Sequence, residues 1–570
     1  MRHHKQPTAL EILLREAMGG LAVVGGLSLF LNLLVLVSPL YMFQVFDRVL
    51  PSGHVETLVA LTLAAGFALL VLGLLEAIRS LALVRIGAWA DRELASPVLA
   101  ASVAETLTGR AIGAQPLRDL AQLRGFVGSD AVVPILDAPW TLVFVAVIWL
   151  LHPWLGVLAL ASAVLLFSLA LVNELAMRGP LGEAGELWVE AQRRSESALR
   201  NGEVVQAMGM LPALARRWQA DSERALVQHV RASDRGGAIA GAAKSLRLFV
   251  QIAILGLGAY LVLLGELTAG GMIAGSILLS RALAPVDQAI GAWRALVGAR
   301  ACYHRLRQLL ERHPETPVGI RLPEPQGRVS VERLAFRAPG SQHLILKGLS
   351  FELAAGEVLA VIGPSASGKS TLCRLIMGVW PPTSGHARLD GAEVHGWDRA
   401  HFGRHVGYLA QDVELFDGTV RDNIARLADA PDQAVIEAAA LAGAHEMILR
   451  LPQGYGTEVG PQGAALSGGQ RQWIGLARAM FGAPRLVVLD EPNASLDQIG
   501  ETALVDAIGR LKGRGATVIL VAHRRRLLVH ADKVLVLHDG IGVLFGPRNR
   551  VLARLAAPDP PARRAVAAAS

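Results

Sequence analysis

The stretch Val358-Leu-Ala-Val-Ile-Gly-Pro-Ser-Ala-Ser-Gly-Lys-Ser370 determines the fold of the C-terminal half of the chain. Its first five residues are apolar and predict a buried strand, and a helical stretch follows the loop. A strand, a Gly-rich loop and a helix in this order are typical of a phosphate-binding loop. In such a loop, backbone N–H groups and the helix N-terminus hold phosphate oxygens. The segment therefore predicts an α/β domain that binds a nucleotide.

The same loop carries a lysine and a hydroxyl at positions that suit a triphosphate. We expect Lys369 to reach the β- and γ-phosphates and the Ser370 hydroxyl to bind Mg²⁺. ATP and Mg²⁺ are therefore the expected cofactors. The nucleotide-binding residues expected from this loop are Gly363, Ser365, Ser367, Gly368, Lys369, Ser370 and Thr371.

A second apolar run, residues 486–489, ends in two adjacent carboxylates. Asp490 would lie at the tip of a strand and hold Mg²⁺ through water. Glu491 points in a different direction and is the expected general base for the attacking water. Adjacent acids are common on protein surfaces, but four preceding apolar residues and Pro492 indicate a buried strand end. The pair is thus a candidate catalytic feature.

The N-terminal half is apolar enough to lie in a membrane. The chain is 52% hydrophobic and 18% charged, and most of the apolar excess precedes residue 300. Long apolar runs predict membrane-spanning helices. The expected spans are residues 21–41, 58–75, 138–151, 154–172, 248–264 and 269–284. The last is the weakest, because it is Gly-rich and carries Arg281. Asp137, just before the third span, could line a path or be paired.

The net charge of +7 suggests nucleic acid, but membrane orientation explains it better. Six Arg lie in residues 79–130, and nine Arg plus Lys244 lie in residues 174–245, whereas the opposite turns carry only Arg48. By the positive-inside rule both long segments are cytoplasmic, and no nucleic-acid partner is expected. Helix breaks are predicted at residues 113–117 and 208–212, where Gly and Pro occur.

These patterns predict a polytopic α-helical membrane domain of six transmembrane helices followed by an α/β P-loop ATPase domain. The expected boundaries are a cytoplasmic segment at 1–17, the transmembrane domain at 18–312, a linker at 313–328, the nucleotide-binding domain at 329–555 and a disordered tail at 556–570.

Leu466-Ser-Gly-Gly-Gln470 resembles the signature loop of ATP-binding-cassette proteins. The resemblance implies that Ser467, Gly468, Gly469 and Gln470 bind nucleotide. Gln411 resembles the Q-loop glutamine, which is both a nucleotide and a metal contact, so the implied metal set is Ser370, Gln411 and Asp490. His523 resembles the switch histidine and is expected to be catalytic together with Glu491. Ser495-Leu-Asp497 resembles the D-loop.

Two further consequences follow from the cassette resemblance. In cassettes the signature loop of one subunit closes over the nucleotide of the other, so a chain with one copy of each motif implies a homodimer. Cassettes also place an aromatic residue before the phosphate loop to stack on adenine, and Ala338 stands at that position. Strand alternation predicts that Phe336 faces the core instead.

The membrane half carries a second resemblance, in Leu31-Asn-Leu-Leu, residues 38–51, Asp137-Ala-Pro-Trp140, His152-Pro-Trp-Leu155 and residues 203–212. Together they resemble the type I secretion ABC transporters, in particular the protease/lipase exporters. The resemblance implies a bacterial inner-membrane location with the nucleotide-binding domain in the cytoplasm. It implies an unfolded protein substrate with a C-terminal signal, a periplasmic membrane-fusion adaptor, an outer-membrane channel protein and contact with membrane lipid.

Other functions share parts of this pattern. An ABC exporter of lipid or small hydrophobic molecules would carry every cassette motif. A cassette that regulates without transporting is disfavoured by six spans. Only about twenty residues precede the first span, so no N-terminal peptidase domain is expected.

Overall fold

The computed structural model describes residues 9–110, 112–314, 321–522 and 524–556. The chain divides into two compact units, residues 1–315 and 316–570. The predicted switch residue His523, residues 315–320 of the linker and residues 557–570 of the tail lie outside the described residues.

The first unit is helical throughout its described length. Its helices are α1 Ala9–Val35, α2 Val37–Gln44, α3 Leu50–Ser52, α4 Val55–Leu107, α5 Gln115–Val127, α6 Val133–Asp137, α7 Trp140–Leu151, α8 Pro153–Arg200, α9 Gly202–Ala207, α10 Leu211–Leu263 and α11 Ala269–Arg312. One π-helical turn, Val45–Val49, joins α2 to α3.

Helices long and apolar enough to cross a membrane account for most of this unit. In the part of the chain that the structure describes there are five: Ala9–Ser52, Val55–Leu107, Pro153–Leu199, Leu211–Leu263 and Ala269–Arg312. The apolar helix Trp140–Leu151 is shorter. The most apolar window of α4 is 0% buried and that of α11 is 56% buried. The weak apolarity of residues 269–284 thus reflects a helix covered by its neighbours, which needs less lipid-facing surface.

The third predicted span, residues 138–151, corresponds to the short helix α7, and a break separates it from α6. Helix α6 ends at Asp137, and α7 begins only after Pro139. A proline lacks the backbone N–H that would continue the helical hydrogen bonds, and its ring disfavours helix in the preceding residue. The predicted breaks at residues 113–117 and 208–212 are confirmed, since Gly113 and Gly209 have φ of 55° and 62° between helices.

A side-chain clasp joins the end of the first span to the start of α11. The Asp47 carboxylate, in the π-helical turn, accepts a hydrogen bond from the Gly270 N–H at 2.8 Å and another from the Thr268 hydroxyl. A Cβ on Gly270 would stand 2.6 Å from Asp47 Oδ1 and 2.7 Å from the Phe43 carbonyl oxygen. Glycine is therefore required for this approach.

The second unit is α/β. Its strands are β1 Val329–Arg337, β2 Leu344–Leu353, β3 Val358–Ile362, β4 Ser384–Leu389, β5 Ala392–Glu393, β6 Val406–Leu409, β7 Leu486–Asp490, β8 Thr517–Val521, β9 Lys533–His538 and β10 Ile541–Pro547. Its α-helices are α12 Lys369–Ile376, α13 Arg399–His405, α14 Val420–Ile424, α15 Asp432–Ala442, α16 His445–Leu449, α17 Gly468–Met480, α18 Gln498–Gly513 and α19 Arg548–Ala556. Short 3₁₀ turns lie at Gly454–Gly456, Pro461–Gly463 and Arg525–Leu528.

The strands of the second unit form two β-sheets. The smaller is antiparallel with strand order β2-β1-β4-β5, and the larger has the order β10-β9-β3-β8-β7-β6. In the larger sheet, β9, β3, β8, β7 and β6 are mutually parallel. Strands β3, β7 and β8 are almost wholly buried, as expected for parallel strands covered on both faces. Parallel alignment brings the carboxyl ends of these strands to one edge.

Candidate functional site

The phosphate loop, the carboxylate pair and Gln411, which the sequence predicts as site residues, lie at the carboxyl edge of the large sheet. The phosphate loop follows β3, and the carboxylate pair lies at the end of β7, two strands away. Gln411 lies two residues beyond the end of β6, on the far side of β7. Open α/β sheets bind ligands outside the carboxyl ends of their strands. The edge therefore has the location of a nucleotide site.

Two glycines allow the phosphate loop to fold closely over its neighbours. A Cβ on Gly363 would stand 2.2 Å from the Leu537 carbonyl oxygen. Gly368 has φ of 98°, and a Cβ there would stand 2.8 Å from Leu346 Cδ2. The left-handed conformation strains any residue with a side chain. Both positions thus require glycine for backbone geometry, which also exposes backbone N–H groups to a ligand.

Lys369 opens α12 and folds back over its own loop. Its Nζ donates to the carbonyl oxygens of Gly363 at 3.0 Å and Pro364 at 2.8 Å. Burial lowers the pKa of Lys369, and the nearby charges of Glu491 and Asp490 oppose that change. A cation held at the start of a helix, where the N-terminal dipole is also positive, favours an anionic ligand.

Asp490 is a buried carboxylate with unused hydrogen-bonding capacity. Its side chain is 1% exposed, and neither oxygen has a hydrogen-bond partner among the residues that the structure describes. Burial raises its pKa, while the Ser370 hydroxyl opposes that rise without meeting hydrogen-bond geometry. Ser367 Oγ is likewise buried without a partner in the described chain. Buried polar atoms without partners are rare, and at the phosphate loop a bound ion, a water or a ligand would satisfy them.

These oxygens fit a Mg²⁺ ion shared with a nucleotide. Mg²⁺ prefers hard oxygen donors and is commonly held by one or two carboxylates together with substrate phosphates. Asp490 and Ser370 supply such donors at the phosphate loop. No group of three or more His, Cys, Asp or Glu side chains able to hold a metal ion occurs in the described parts of the chain.

Glu491 has an unusual backbone conformation, with φ of 51°. Non-glycine residues in this region are strained by roughly 1–3 kcal/mol and occur preferentially at active sites. The conformation turns Glu491 away from the β7 direction that Asp490 follows. Gln411 Nε2 donates to Glu491 Oε2 at 3.4 Å, so the structure brings these two predicted residues together.

The predicted signature loop forms the start of α17. Ser467 is its N-cap and pairs with Gln470 in a capping box: Gln470 N donates to Ser467 Oγ at 3.3 Å, and Ser467 N donates to Gln470 Oε1 at 2.8 Å. Ser467 and Gly468 are exposed. A Cβ on Gly469 would stand 3.1 Å from the Ser495 carbonyl oxygen, so the loop packs on the predicted D-loop.

A buried contact that the motifs do not predict links α17 to Pro492, the residue that follows the carboxylate pair. Gln472 is 4% exposed, and its Nε2 donates to the Pro492 carbonyl oxygen at 2.9 Å. The only local signal was a polar residue on the buried face of a helix. Asp497, at the end of the predicted D-loop, caps α18 by accepting from Gly500 N at 2.7 Å.

The expected adenine-stacking position offers no ring. Ala338 is half-buried and packs on the core. Phe336 is 4% exposed and stacks on Trp380, with ring centroids 5.0 Å apart and planes 3° apart. The prediction that Phe336 faces the core is confirmed.

The membrane unit contains a charged cavity that sequence analysis identified only through Asp137. Arg79, 6% exposed, donates from Nη1 to Asp137 Oδ2 at 3.1 Å, and Asn32 Nδ2 donates to Asp137 Oδ1 at 3.1 Å. The pair borders a cavity of about 580 Å³ that also includes Glu76 and Arg281. Arg79, expected as a cytoplasmic charge, is thus a buried partner, and Asp137 is paired. Charged residues inside a membrane domain are usually functional.

A phosphate loop, a carboxylate pair and a signature loop in one α/β unit, preceded by spanning helices, define an ATP-binding-cassette exporter. The ABC transporter transmembrane region family matches residues 21–285, and the ABC transporter family matches residues 346–494. A solved bacterial Atm1-family ABC exporter with ATP bound has a TM-score of 0.81 at 23% identity, over 95% of this chain and 99% of that chain. That similarity supports the fold.

Individual relatives of this chain indicate which branch of the ABC transporter family it resembles. The type I secretion system ATP-binding protein PrsD of Rhizobium meliloti (strain 1021) is 42% identical over 96% of this chain and 94% of the relative. The toxin RTX-I translocation ATP-binding protein of Actinobacillus pleuropneumoniae is 31% identical over 92% of this chain and 75% of the relative. The chain therefore belongs to the ABC transporter family, among the type I secretion ATP-binding proteins. It is a membrane protein that couples ATP hydrolysis to transport.

Proposed function

We propose that this chain is the ABC component of a type I secretion system and exports an unfolded protein across the bacterial inner membrane. The observation that carries the proposal is 42% identity to a type I secretion protein over nearly the whole chain, membrane unit included. A relative similar only in its cassette would support no particular cargo.

The nucleotide chemistry is assigned residue by residue. The phosphate loop, residues 363–371, binds the triphosphate, with Lys369 facing its oxygens. Asp490, Ser370 and Gln411 hold Mg²⁺, which would neutralise charge on the phosphates. Glu491 accepts a proton from the attacking water. His523, the remaining catalytic candidate, follows β8 in the sequence.

A homodimer completes the site. Within one chain, the capping box with Gln470 fixes Ser467 at the exposed N-terminal end of α17, and Gly469 packs on Ser495. A second copy would present its signature residues, Ser467 to Gln470, to the nucleotide. The exposed apolar surface of α4 is suited to membrane lipid or to the second copy.

The remaining partners follow from the type I secretion assignment. We propose a periplasmic membrane-fusion adaptor, an outer-membrane channel protein and a secreted substrate with a C-terminal signal. The substrate must be unfolded to pass a narrow path between helices. The nucleotide-binding domain faces the cytoplasm, where the Arg-rich connections also lie.

Co-expression with the adaptor, the channel and a candidate cargo tests the proposal. About sixty C-terminal residues of the cargo, fused to a slowly folding passenger, should direct the passenger to the medium. Glu491→Gln should abolish this export and lower ATPase activity by at least about 100-fold, while ATP binding persists, because the amide keeps the shape of the side chain and loses the base.

Glu446→Gln, an exposed carboxylate on α16, is the matched control and should export normally. Export that survives deletion of the cargo's C-terminus would contradict the proposed signal. ATPase activity that responds to lipid and to no cargo would instead support export of lipid or small hydrophobic molecules.

A further inference from the structure

Glu501 is a buried carboxylate that the motifs of the ATP site do not include. It lies in the first turn of α18, the helix that begins after the predicted D-loop. Its side chain is 5% exposed. Glutamate is rarely buried unless it is paired, because removal from water disfavours the charged form. Its partners must therefore account for its burial.

The first partner lies on the turn that follows the proposed general base. Asn493 Nδ2 donates to Glu501 Oε1 at 3.3 Å. Asn493 is two residues beyond Glu491, whose φ is 51°. The Ala494 N–H donates to the Glu491 carbonyl oxygen at 3.2 Å within the same turn. A strained backbone persists only where surrounding contacts hold it, and Glu501 supplies one such contact.

A second helix holds the same turn from another residue. Gln472 on α17 donates to the Pro492 carbonyl oxygen at 2.9 Å. Pro492 and Asn493 are consecutive, so α17 and α18 restrain the turn together. The position of Glu491 thus depends on two buried side chains outside the phosphate loop.

The second partner of Glu501 lies beside the predicted switch residue. Arg524 directly follows His523 in the sequence. Its Nη1 donates to Glu501 Oε1, the same oxygen that accepts from Asn493. The Arg524 side chain is 60% exposed, so this contact restrains a side chain that burial alone does not fix. Hydrogen bonds between charged groups are about twice as strong as neutral ones.

We propose that Glu501 is a positioning residue for ATP hydrolysis. Through one carboxylate oxygen it fixes the turn after Glu491 and the segment after His523 relative to each other. The inference rests on the proposed ATP site, in which Glu491 and His523 act on the reacting groups. Glu501 acts through Asn493 and Arg524.

This role affects turnover rather than ATP affinity. The triphosphate is bound by the phosphate loop, between β3 and α12, whereas Glu501 restrains the segments that carry the base and the switch residue. A small misplacement of reacting groups lowers the rate of the chemical step much more than it lowers binding. The expected signature is a fall in kcat at constant KM.

An ion pair farther along α18 supplies the structural comparison. Lys512 Nζ donates to Asp532 Oδ1 at 2.6 Å and to the His530 carbonyl oxygen at 3.4 Å. These partners lie between the last 3₁₀ turn and β9, beyond the switch segment. Loss of this pair should loosen α18 without moving Glu491.

The experiment measures ATPase activity of the full-length protein in lipid nanodiscs. Glu501→Leu fills nearly the same volume and removes both contacts, so it should lower kcat by about 10- to 100-fold. The KM for ATP should stay within about twofold. Arg524→Ala should cause part of the same loss. Adding it to Glu501→Leu should lower kcat no further, because the double variant removes one shared contact.

Two controls accompany these variants. Lys512→Gln breaks the structural pair on the same helix and should leave kcat within about twofold of the parent, because its partners are remote from the reacting groups. Arg526→Ala, at an exposed position two residues beyond Arg524, should likewise leave kcat unchanged. The Kd for Mg²⁺-ATP, measured in the Glu491→Gln background, should be the same with and without Glu501→Leu.

Four outcomes would overturn the inference. Glu501→Leu could leave kcat unchanged, it could raise KM or Kd instead, the two losses could multiply in the double variant, or Lys512→Gln could lower kcat equally. The proposed ATP site is tested separately, since Lys369→Ala should weaken ATP binding and Glu491→Gln should abolish turnover whatever the result at Glu501.

Discussion

Replacing Asp490 by asparagine should stabilise the protein without nucleotide and remove its response to Mg²⁺-ATP. The carboxylate is 1% exposed and has no hydrogen-bond partner among the described residues. Burial raises its pKa above the usual value of 3.8. A carboxyl group whose folded pKa is raised favours the folded state when protonated, and it loses that contribution as the pH rises through the folded pKa. At pH 7.5 the ionised group therefore destabilises the fold.

The expected change in Tm follows from the free-energy cost of a buried polar group that lacks a hydrogen-bond partner. Leaving such a group without a partner costs about 1–3 kcal/mol. A charged group costs more than a neutral one, so asparagine, which has nearly the same shape and no charge, should remove the part of the cost that comes from the charge, on the order of 1–3 kcal/mol. For a domain of 150–250 residues, each kcal/mol shifts Tm by about 2–4 °C. We expect the apparent Tm of the nucleotide-free variant to exceed that of the parent by about 3–8 °C at pH 7.5.

Mg²⁺-ATP should reverse the order. A ligand at 100 times its Kd stabilises the folded state by about 2.7 kcal/mol. The parent protein should gain this stabilisation, and the variant should gain little. Differential scanning fluorimetry of the solubilised protein, with and without Mg²⁺-ATP, measures both effects. The advantage of the nucleotide-free variant should shrink as the pH falls toward the pKa of Asp490, where the parent carboxyl group becomes protonated.

Asp506→Asn, an exposed acid on α18, is the matched control and should change neither measurement. A nucleotide-free Asp490→Asn protein that melts below the parent would refute the argument from burial. A variant that keeps the full Mg²⁺-ATP shift would refute the role of Asp490 at the metal.

Two further predictions concern the membrane unit. Gly270→Ala should lower the apparent Tm through a loss of about 1–3 kcal/mol, because the new Cβ would stand 2.6 Å from Asp47 Oδ1. Gly256→Ala, with no atom within 4 Å, is its control, and equal Tm values would contradict the steric argument. Asp137→Ala should cost up to about 3–5 kcal/mol by leaving the Arg79 charge buried without its partner. The double variant Arg79→Met with Asp137→Leu should melt above this single variant, and a lower Tm would show that the pair contributes net stability.

The sequence predicts best the features that neighbouring residues determine. Strand β3 and the phosphate loop are recognisable because an apolar run, two glycines and Lys369 occupy consecutive positions. The burial of Phe336 follows from strand alternation alone. Such features depend on backbone conformation and on the spacing of apolar residues, and a short stretch of sequence is enough to reveal both.

Contacts between residues that lie far apart in the chain could not be predicted from the sequence. The Arg79 to Asp137 pair joins positions 58 residues apart, and the Asp47 to Gly270 clasp joins positions 223 residues apart. Each depends on how helices pack, and packing in a membrane is set by close approach and polar contacts rather than by local pattern. The break between α6 and α7 has a local signal in Asp137 and Pro139, and the predicted span accordingly begins at residue 138.

The hydrogen bonds of the ATP site show why its residues depart from the full pairing that is expected of buried polar groups. Lys369 donates to carbonyl oxygens of its own loop, while the nearby Asp490 carboxylate accepts from no described residue. A sequence optimised for stability would pair such groups or replace them with apolar ones. Here the unpaired carboxylate and the strained backbone of Glu491 keep binding capacity available for a ligand. Nucleotide binding then stabilises the cassette more than it could stabilise a fully satisfied site, so the gain on binding and the loss on release are both large. A transporter needs that difference, because only a ligand that changes the relative stability of two states can drive movement between them.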